Sequence, residues 1–265
     1  MSSPAASLLA ADDPAPVESL EQQGGPPVLL TCDHASPAVP RALAGLGLAA
    51  GLIEQHIGWD IGAAAVTRLL SERLGIPAIL SGYSRLVIDC NRDPDDASSI
   101  PEASDGIPVP GNRGLSAAAR AVRRAACFDS YHEAITARLG RFSAVGAVPA
   151  LLSIHSFTPV MNGRARPWHV GILWDADPRI PLPLLAALQA DPALVVGDNE
   201  PYSAREPAGY TVRHHAASAG LPHVAIELRQ DLVATADGAA EWAARLAAAL
   251  APTLARREIY HRERP

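Results

Sequence analysis

The stretch Tyr83-Ser84-Arg85-Leu86-Val87-Ile88-Asp89-Cys90-Asn91-Arg92-Asp93-Pro94 takes the chain from an apolar run into a knot of charge and amide. Leu86, Val87 and Ile88 read as a buried strand, because aliphatic and β-branched residues suit a covered, pleated surface. Asn91 and Arg92 then fall where that strand gives way to a loop bearing Pro94. Three other segments have the same form: VLLTCDH at 28–34, ALLSIH at 150–155 and VAIELR at 224–229. In one parallel sheet the carboxyl ends of such strands meet at one edge, which is where ligands bind in open α/β sheets. A guanidinium there can grip a carboxylate through two parallel hydrogen bonds, and a neighbouring amide adds another. The plainer reading of the same residues is a structural ion pair between Arg92 and Asp89 or Asp93.

Working outward, strands alternate with helices. Strands are expected at 28–31, 78–80, 86–88, 150–154, 170–174, 194–196 and 224–228. Helices are expected at 61–74, stopped by Gly75, and from an N-cap at Ser116 toward Leu139. Further helices are expected at 181–190, 210–219 and 235–250, with one or two short ones inside 41–57. This order predicts an α/β fold with a mainly parallel sheet and helices on both faces. Residues 93–114, dense in Pro, Gly, Asp and Ser, read as a long functional loop. Residues 1–26 are expected to be a flexible arm, 27–255 a single catalytic domain and 256–265 a tail.

Composition narrows the function classes. With 48% apolar residues among 265, the chain can bury a sizeable core. A formal net charge of −6 argues against nucleic acid as partner. The RARP run at 164–167 and the Arg-rich tail read as solvated surface. Three scattered cysteines, Cys32, Cys90 and Cys127, fit neither a disulfide framework nor a thiolate zinc cluster, and suit a reducing cytoplasm. No signal peptide is read at the N-terminus. No apolar run approaches the ~20 residues a bilayer span needs. A small-molecule partner is therefore expected.

His34, His155 and Glu227 stand at three of the strand ends. Two histidines with one carboxylate make a catalytic zinc set that leaves a position for water. Zinc lowers the pKa of that water and polarises a carbonyl. A further carboxylate must then move the proton, and Glu227 is the candidate. Glu227 and Arg229 could form a plain salt bridge, but two apart on a strand they share a face and can both meet a ligand. For the third metal ligand Asp60 is preferred, with His56 and Asp33 as rivals; Asp60 also reads as a simple helix N-cap. His₂-carboxylate sites also take iron, cobalt or manganese.

LLTCDHAS, HIGWDIGA, YSRLVIDCNR, DNEPYS and IELRQDL together resemble the N-formylglutamate amidohydrolase family, over residues 27–248. The resemblance implies a three-layer α/β/α sandwich with a mainly parallel mixed sheet, like that of zinc carboxypeptidases and aspartoacylases. It implies one zinc ion on His34 and His155. The H-x-x-E acid of those relatives is not reproduced, since Pro37 stands three residues after His34, and the formylglutamate family suggests Asp60 instead. Asn91 and Arg92 match the pair that holds a substrate carboxylate, and Glu227 matches the catalytic acid. Arg85, His215 and Arg229 fall in family motifs and are expected to line the pocket, with Tyr202 closing over substrate; His215 reads equally as a helix-surface or core-edge histidine, and Asn199-Glu200-Pro201 as a plain turn. The implied activity is zinc-dependent cleavage of the formyl amide of N-formyl-L-glutamate or a similar N-acyl amino acid, in amino-acid catabolism. A zinc deacylase or peptidase of another substrate and a non-catalytic ligand-binding homologue are the alternatives.

Overall fold

A computed structural model of the chain describes residues 8–205 and 209–263. Its strands are β1 Val17–Leu20, β2 Val28–Cys32, β3 Ala78–Ser81, β4 Ala103–Ser104, β5 Ile107–Pro108, β6 Ala150–Phe157, β7 Val160–Met161, β8 Arg164–Ala165, β9 Val170–Leu173, β10 Val196–Asp198 and β11 His223–Arg229. Its α-helices are α1 Ala63–Leu74, α2 Ala117–Arg123, α3 Ser130–Ala144, α4 Pro181–Gln189, α5 Tyr210–His215, α6 Gln230–Val233 and α7 Ala236–Leu254. Seven strands form one sheet in the order β1-β3-β2-β6-β11-β9-β10. The neighbours from β3 to β11 run parallel, β9 is antiparallel to β11, and β1 is antiparallel to β3. The short pairs β4-β5 and β7-β8 are hairpins outside it.

Period-two alternation divides the sheet into unlike faces. Ala150, Leu152 and Ile154 of β6 and Val224, Ile226 and Leu228 of β11 join α1, α4 and α7 in the largest apolar cluster. On the other face Leu29, Ile79 and Leu151 pack against Tyr131, Ile135 and Leu139 of α3. That second face stays apolar only at the start of the strands. Toward their carboxyl ends it carries Ser153, His155 and Glu227, which is where the site forms. Helices therefore cover both faces, as expected.

Two devices shape the helices as the sequence suggested. Gly75 ends α1 in the left-handed region at φ 62°, a conformation glycine adopts without a Cβ clash. Ser116 caps α2 by accepting the Ala119 N–H at 3.2 Å, and a π turn at Arg124–Asp129 joins α2 to α3.

Residues 86–88 are not a strand. Leu86, Val87 and Ile88 are buried in a third cluster with Leu46, Ile100 and Phe128. Side chains satisfy their backbone where a strand partner would have done so. Asn112 Nδ2 donates to Leu86 O at 2.9 Å, and Arg123 Nη1 donates to Val87 O at 3.2 Å. Arg123, 3% exposed, also donates to Asn112 Oδ1 at 2.6 Å and Gly111 O at 2.8 Å. The apolar triplet thus signalled burial, which a loop with side-chain partners achieves equally well.

The expected arm and tail also differ from expectation. Val17–Leu20 is an edge strand in register with β3, tied down by Arg68, which donates to both carboxylate oxygens of Glu18 at 2.9 and 2.6 Å. After α7, Ile259 is buried, and the Glu263 N–H donates to Gly220 O at 2.9 Å. Residues 1–7 and 264–265 lie outside the described residues. Within 41–57 the chain forms a 3₁₀ turn at Arg41–Gly47 and no α-helix.

Asn112→Ala removes the donor to Leu86 O and an acceptor of Arg123. Urea unfolding is expected to show a loss of about 1–3 kcal/mol with an unchanged m-value.

Candidate active site

The parallel strands deliver their polar ends to one point. Asp33 and His34 follow β2, His155 lies on β6, and Glu227 on β11 is directly opposite His155 in the ladder. Asp60 arrives from the loop before α1, where its N–H donates to His34 O at 3.0 Å. Asp60 Oδ2 lies 3.2 Å from His34 Nδ1 and 2.9 Å from His155 Nδ1. Ligand atoms from His34, Asp60 and His155 all lie within 4.8 Å of one another.

The outer nitrogen of each imidazole meets a different carboxylate. His34 Nε2 is 2.7 Å from Asp89 Oδ1, and His155 Nε2 is 3.0 Å from Asp33 Oδ2. The Nε2–H of each ring is held by Asp89 or Asp33, and with Asp60 at both Nδ1 atoms these acids raise both imidazoles above their usual range despite burial. A metal-ligating imidazole donates its other N–H to a carboxylate in the same way. Two imidazole nitrogens and a carboxylate oxygen thus converge as a set fitted to a divalent metal ion. Of the rivals for the third position, Asp33 sits behind His155, and His56 Nε2 bonds Asp105 Oδ2 at 2.6 Å.

Charge pairing keeps these buried acids ionised. Burial opposes the ionisation of Asp60 and Asp89, but His34 and His155 around Asp60, and Arg85 and His34 beside Asp89, hold both carboxyls well below the usual range. Arg85 donates to Asp89 Oδ2 at 3.1 and 2.8 Å, and its Nη1 is 3.5 Å from Asp60 Oδ1. Glu227 differs. It is 8% exposed, and its Oε2 has no hydrogen-bond partner among the described residues. Burial, helped by the Asp60 charge, pushes its carboxyl up to about 7. An acid with that poise can both take and return a proton near neutral pH.

These groups border a cavity of about 540 Å³. His34, Asp60, Arg85, His155 and Glu227 all line it, with Asn91 and Arg92 along one wall and Leu173, Trp174 and Tyr202 contributing elsewhere. The side-chain oxygen of Asn91 accepts the Thr211 N–H at 3.0 Å. Its amino group is thereby turned toward the site, 3.5 Å from His155 Nε2. Tyr202 accepts from Arg166 Nη1 at 3.0 Å, and that guanidinium lies over both the Phe157 and Tyr202 rings. The Tyr202 segment lies close on the sheet because β9 offers Gly171: a Cβ there would come within 2.0 Å of Glu200 O.

Two expected lining residues lie elsewhere. Arg229 donates to Asp231 at 2.8 and 3.3 Å and to Pro167 O at 3.3 Å, and does not line the cavity. It shares the Glu227 face, but Asp231, two residues on, captures it. His215 is turned by the phase of α5 away from the cavity, which Val212 and Arg213 line instead. Its Nε2 is 2.8 Å from His132 Nδ1, and His132 Nε2 is 2.9 Å from Cys90 O. The chain of bonds assigns an Nε2–H to each ring and leaves no room for a second proton between them. Burial accordingly depresses His132 to about 4 and His215 to about 3. Sequence reasoning did not single out Arg166, Thr211 or Arg213, nor the service of Asp89 to His34.

Asp89→Asn is expected to weaken metal affinity about 10- to 100-fold without loss of secondary structure, as read by chelator competition and circular dichroism. The histidine pair gives a second prediction. Both pKa values are depressed on folding, so the unfolded state binds more protons below its own pKa of about 6.5. The pair's contribution to stability is complete above that pH and is lost as the pH falls toward 4. His215→Gln should flatten the fall in unfolding free energy across this window.

Comparison with known proteins agrees with this geometry. The sequence profile of the N-formylglutamate amidohydrolase family matches residues 26–234. The crystal structure of a gene product from Agrobacterium tumefaciens superposes with a TM-score of 0.89 at 35% identity, covering 94% of this chain and 98% of that one. An N-formylglutamate amidohydrolase from Ralstonia eutropha superposes with a TM-score of 0.70 at 18% identity, covering 92% and 98%, and shares the fold. No curated protein matches the chain. The profile spans every strand end that builds the site, and the chain belongs to the N-formylglutamate amidohydrolase family of amide-hydrolysing enzymes.

Proposed function

We propose that the protein is a zinc-dependent amidohydrolase that removes the formyl group from N-formyl-L-glutamate or a closely similar N-acyl amino acid. One observation carries the reading: the carboxyl of Glu227, whose buried Oε2 has no partner among the described residues, stands beside the converging donors of His34, Asp60 and His155. A zinc ion on those three residues would acidify a water molecule and polarise the scissile carbonyl.

The protein's own groups do the rest. Asn91 Nδ2 and Arg92 receive the substrate α-carboxylate and so fix the amide over Glu227. Glu227 takes a proton from water as the water oxygen bonds to the formyl carbon. It returns that proton to the nitrogen as the C–N bond breaks, leaving formate and the free amino acid. Arg85 presents a guanidinium to the charge developing on the carbonyl oxygen. Leu173 and Trp174 supply an apolar wall that limits water around the reacting amide.

The name of the Ralstonia protein supports the choice of substrate. The extent of the apolar wall also favours a second reading, a zinc deacylase for a longer acyl group. A panel of N-formyl and N-acetyl amino acids separates the two. The reading places the enzyme in the cytoplasm with a carboxylate-bearing small molecule as its partner. In keeping with that, all three cysteines are free and buried.

Glu227→Gln is expected to retain stoichiometric zinc and to lower kcat about 10²- to 10⁴-fold, read as formate release. A wild-type rate in this variant would remove Glu227 from the reaction.

A further inference from the structure

Thr211, the second residue of α5, is fully buried and lines no part of the cavity, yet it contacts both halves of the site. Its hydroxyl donates to Asp33 Oδ1 at 2.7 Å, and the other oxygen of Asp33 is 3.0 Å from His155 Nε2. Its N–H donates to Asn91 Oδ1 at 3.0 Å, while the N–H of Tyr210 donates to Asn91 O at 3.1 Å. Threonines near helix ends usually bond their own local backbone. This hydroxyl instead reaches a residue 178 positions away in sequence.

We propose that Thr211 is a positioning residue that keeps the metal half and the carboxylate half of the site in register. The inference rests on the metal-hydrolase reading above. Asp33 Oδ1 is pinned by two hydroxyls, those of Thr211 at 2.7 Å and Tyr131 at 2.8 Å. With that oxygen fixed from α3 and α5, the carboxylate plane is set, and Oδ2 is aimed at His155 Nε2. The second oxygen also accepts from Ser153 Oγ at 3.2 Å. Removing the Thr211 pin leaves Oδ1 on Tyr131 alone, which loosens the carboxylate plane and with it the partner that orients the His155 ring. The backbone arm works on Asn91. Because Asn91 Oδ1 is held by Thr211, its Nδ2 faces the cavity as a donor. A flipped amide would present an oxygen to an incoming carboxylate and repel it. One short helix therefore sets the orientation of a metal ligand through a side chain and of a substrate-binding amide through its backbone.

The two arms can be separated. Zinc affinity is measured on purified full-length protein by chelator competition, and KM and kcat are measured with N-formyl-L-glutamate at saturating zinc. Thr211→Val keeps the shape and the N–H but loses the hydroxyl. It is expected to weaken zinc binding about tenfold or more, while KM stays within about threefold of wild type. Thr211→Ser, which restores the hydroxyl, should return zinc affinity to within about threefold of wild type. Asn91→Ala should do the reverse, raising KM about tenfold with little change in zinc affinity. Should the valine protein fail to fold, Thr211→Ala is read in the same way. Wild-type zinc affinity in the valine or alanine protein, or failure of serine to restore it, overturns the assignment of Thr211 alone. A wild-type protein that takes up no zinc overturns the hydrolase reading itself, and this one with it.

Discussion

His155 and Glu227 stand side by side because β6 and β11 run parallel in a register that extends from Leu151 opposite His223 to Phe157 opposite Arg229. A slip of one residue would turn Glu227 onto the other face of the sheet. That face is where Ala150, Leu152, Ile154, Val224, Ile226 and Leu228 are buried with α1, α4 and α7. The apolar side of the sheet thus fixes the acid on the polar side. On the other flank of β11, Gly171 of β9 is opposite Glu227, and its missing side chain admits the Glu200 carbonyl. Packing that looks purely structural accordingly sets the distance between the candidate base, the His155 imidazole and the wall carrying Tyr202.

Such a site concentrates charge where charge is expensive. Unpaired, each buried carboxylate would be strongly disfavoured. The fold answers with partners drawn from separate elements. Asp33 takes hydrogen bonds from Tyr131 on α3, Thr211 on α5 and Ser153 on β6. Asp89 takes both His34 and Arg85. Glu227 alone keeps a buried oxygen without a partner among these acids. A residue selected only for stability would be poorly served by that position, whereas a proton carrier needs an oxygen not already committed.

How far the sequence reveals this depends on the range of each interaction. The ends of β2, β6 and β11 were legible because alternation along one strand is a local signal, and a polar residue breaking an apolar face stands out. Residues 86–88 misled because an apolar triplet reports burial and says nothing about what satisfies its backbone. Here Asn112 and Arg123 do so. Arg229 was placed on the correct face, but its direction was decided by Asp231. His215 depended on the phase of a six-residue helix against α3. The edge strand Val17–Leu20 is short and pairs with residues about sixty positions away, so its composition resembled a loose arm. The bond between Asp33 and Thr211 has no local signal at all.

The division of labour among four acids follows from what each one touches. Asp60 meets both Nδ1 atoms, Asp89 and Asp33 meet the two outer nitrogens, and Glu227 belongs to none of these pairs. With the imidazoles neutral, as metal ligation requires, the ionised Asp33, Asp60 and Asp89 have Arg85, paired with Asp60 and Asp89, as their guanidinium, which leaves two negative charges in a water-poor environment. A divalent ion between the imidazoles and Asp60 would cancel that excess while leaving both Nε2–H groups in place to be held by Asp33 and Asp89. Protonating the imidazoles could offset the same charge only by consuming the lone pairs that face Asp60. The donor geometry and the charge balance therefore favour the same occupant at the same point, and they leave Glu227 outside the ligand set, where a proton acceptor has to be.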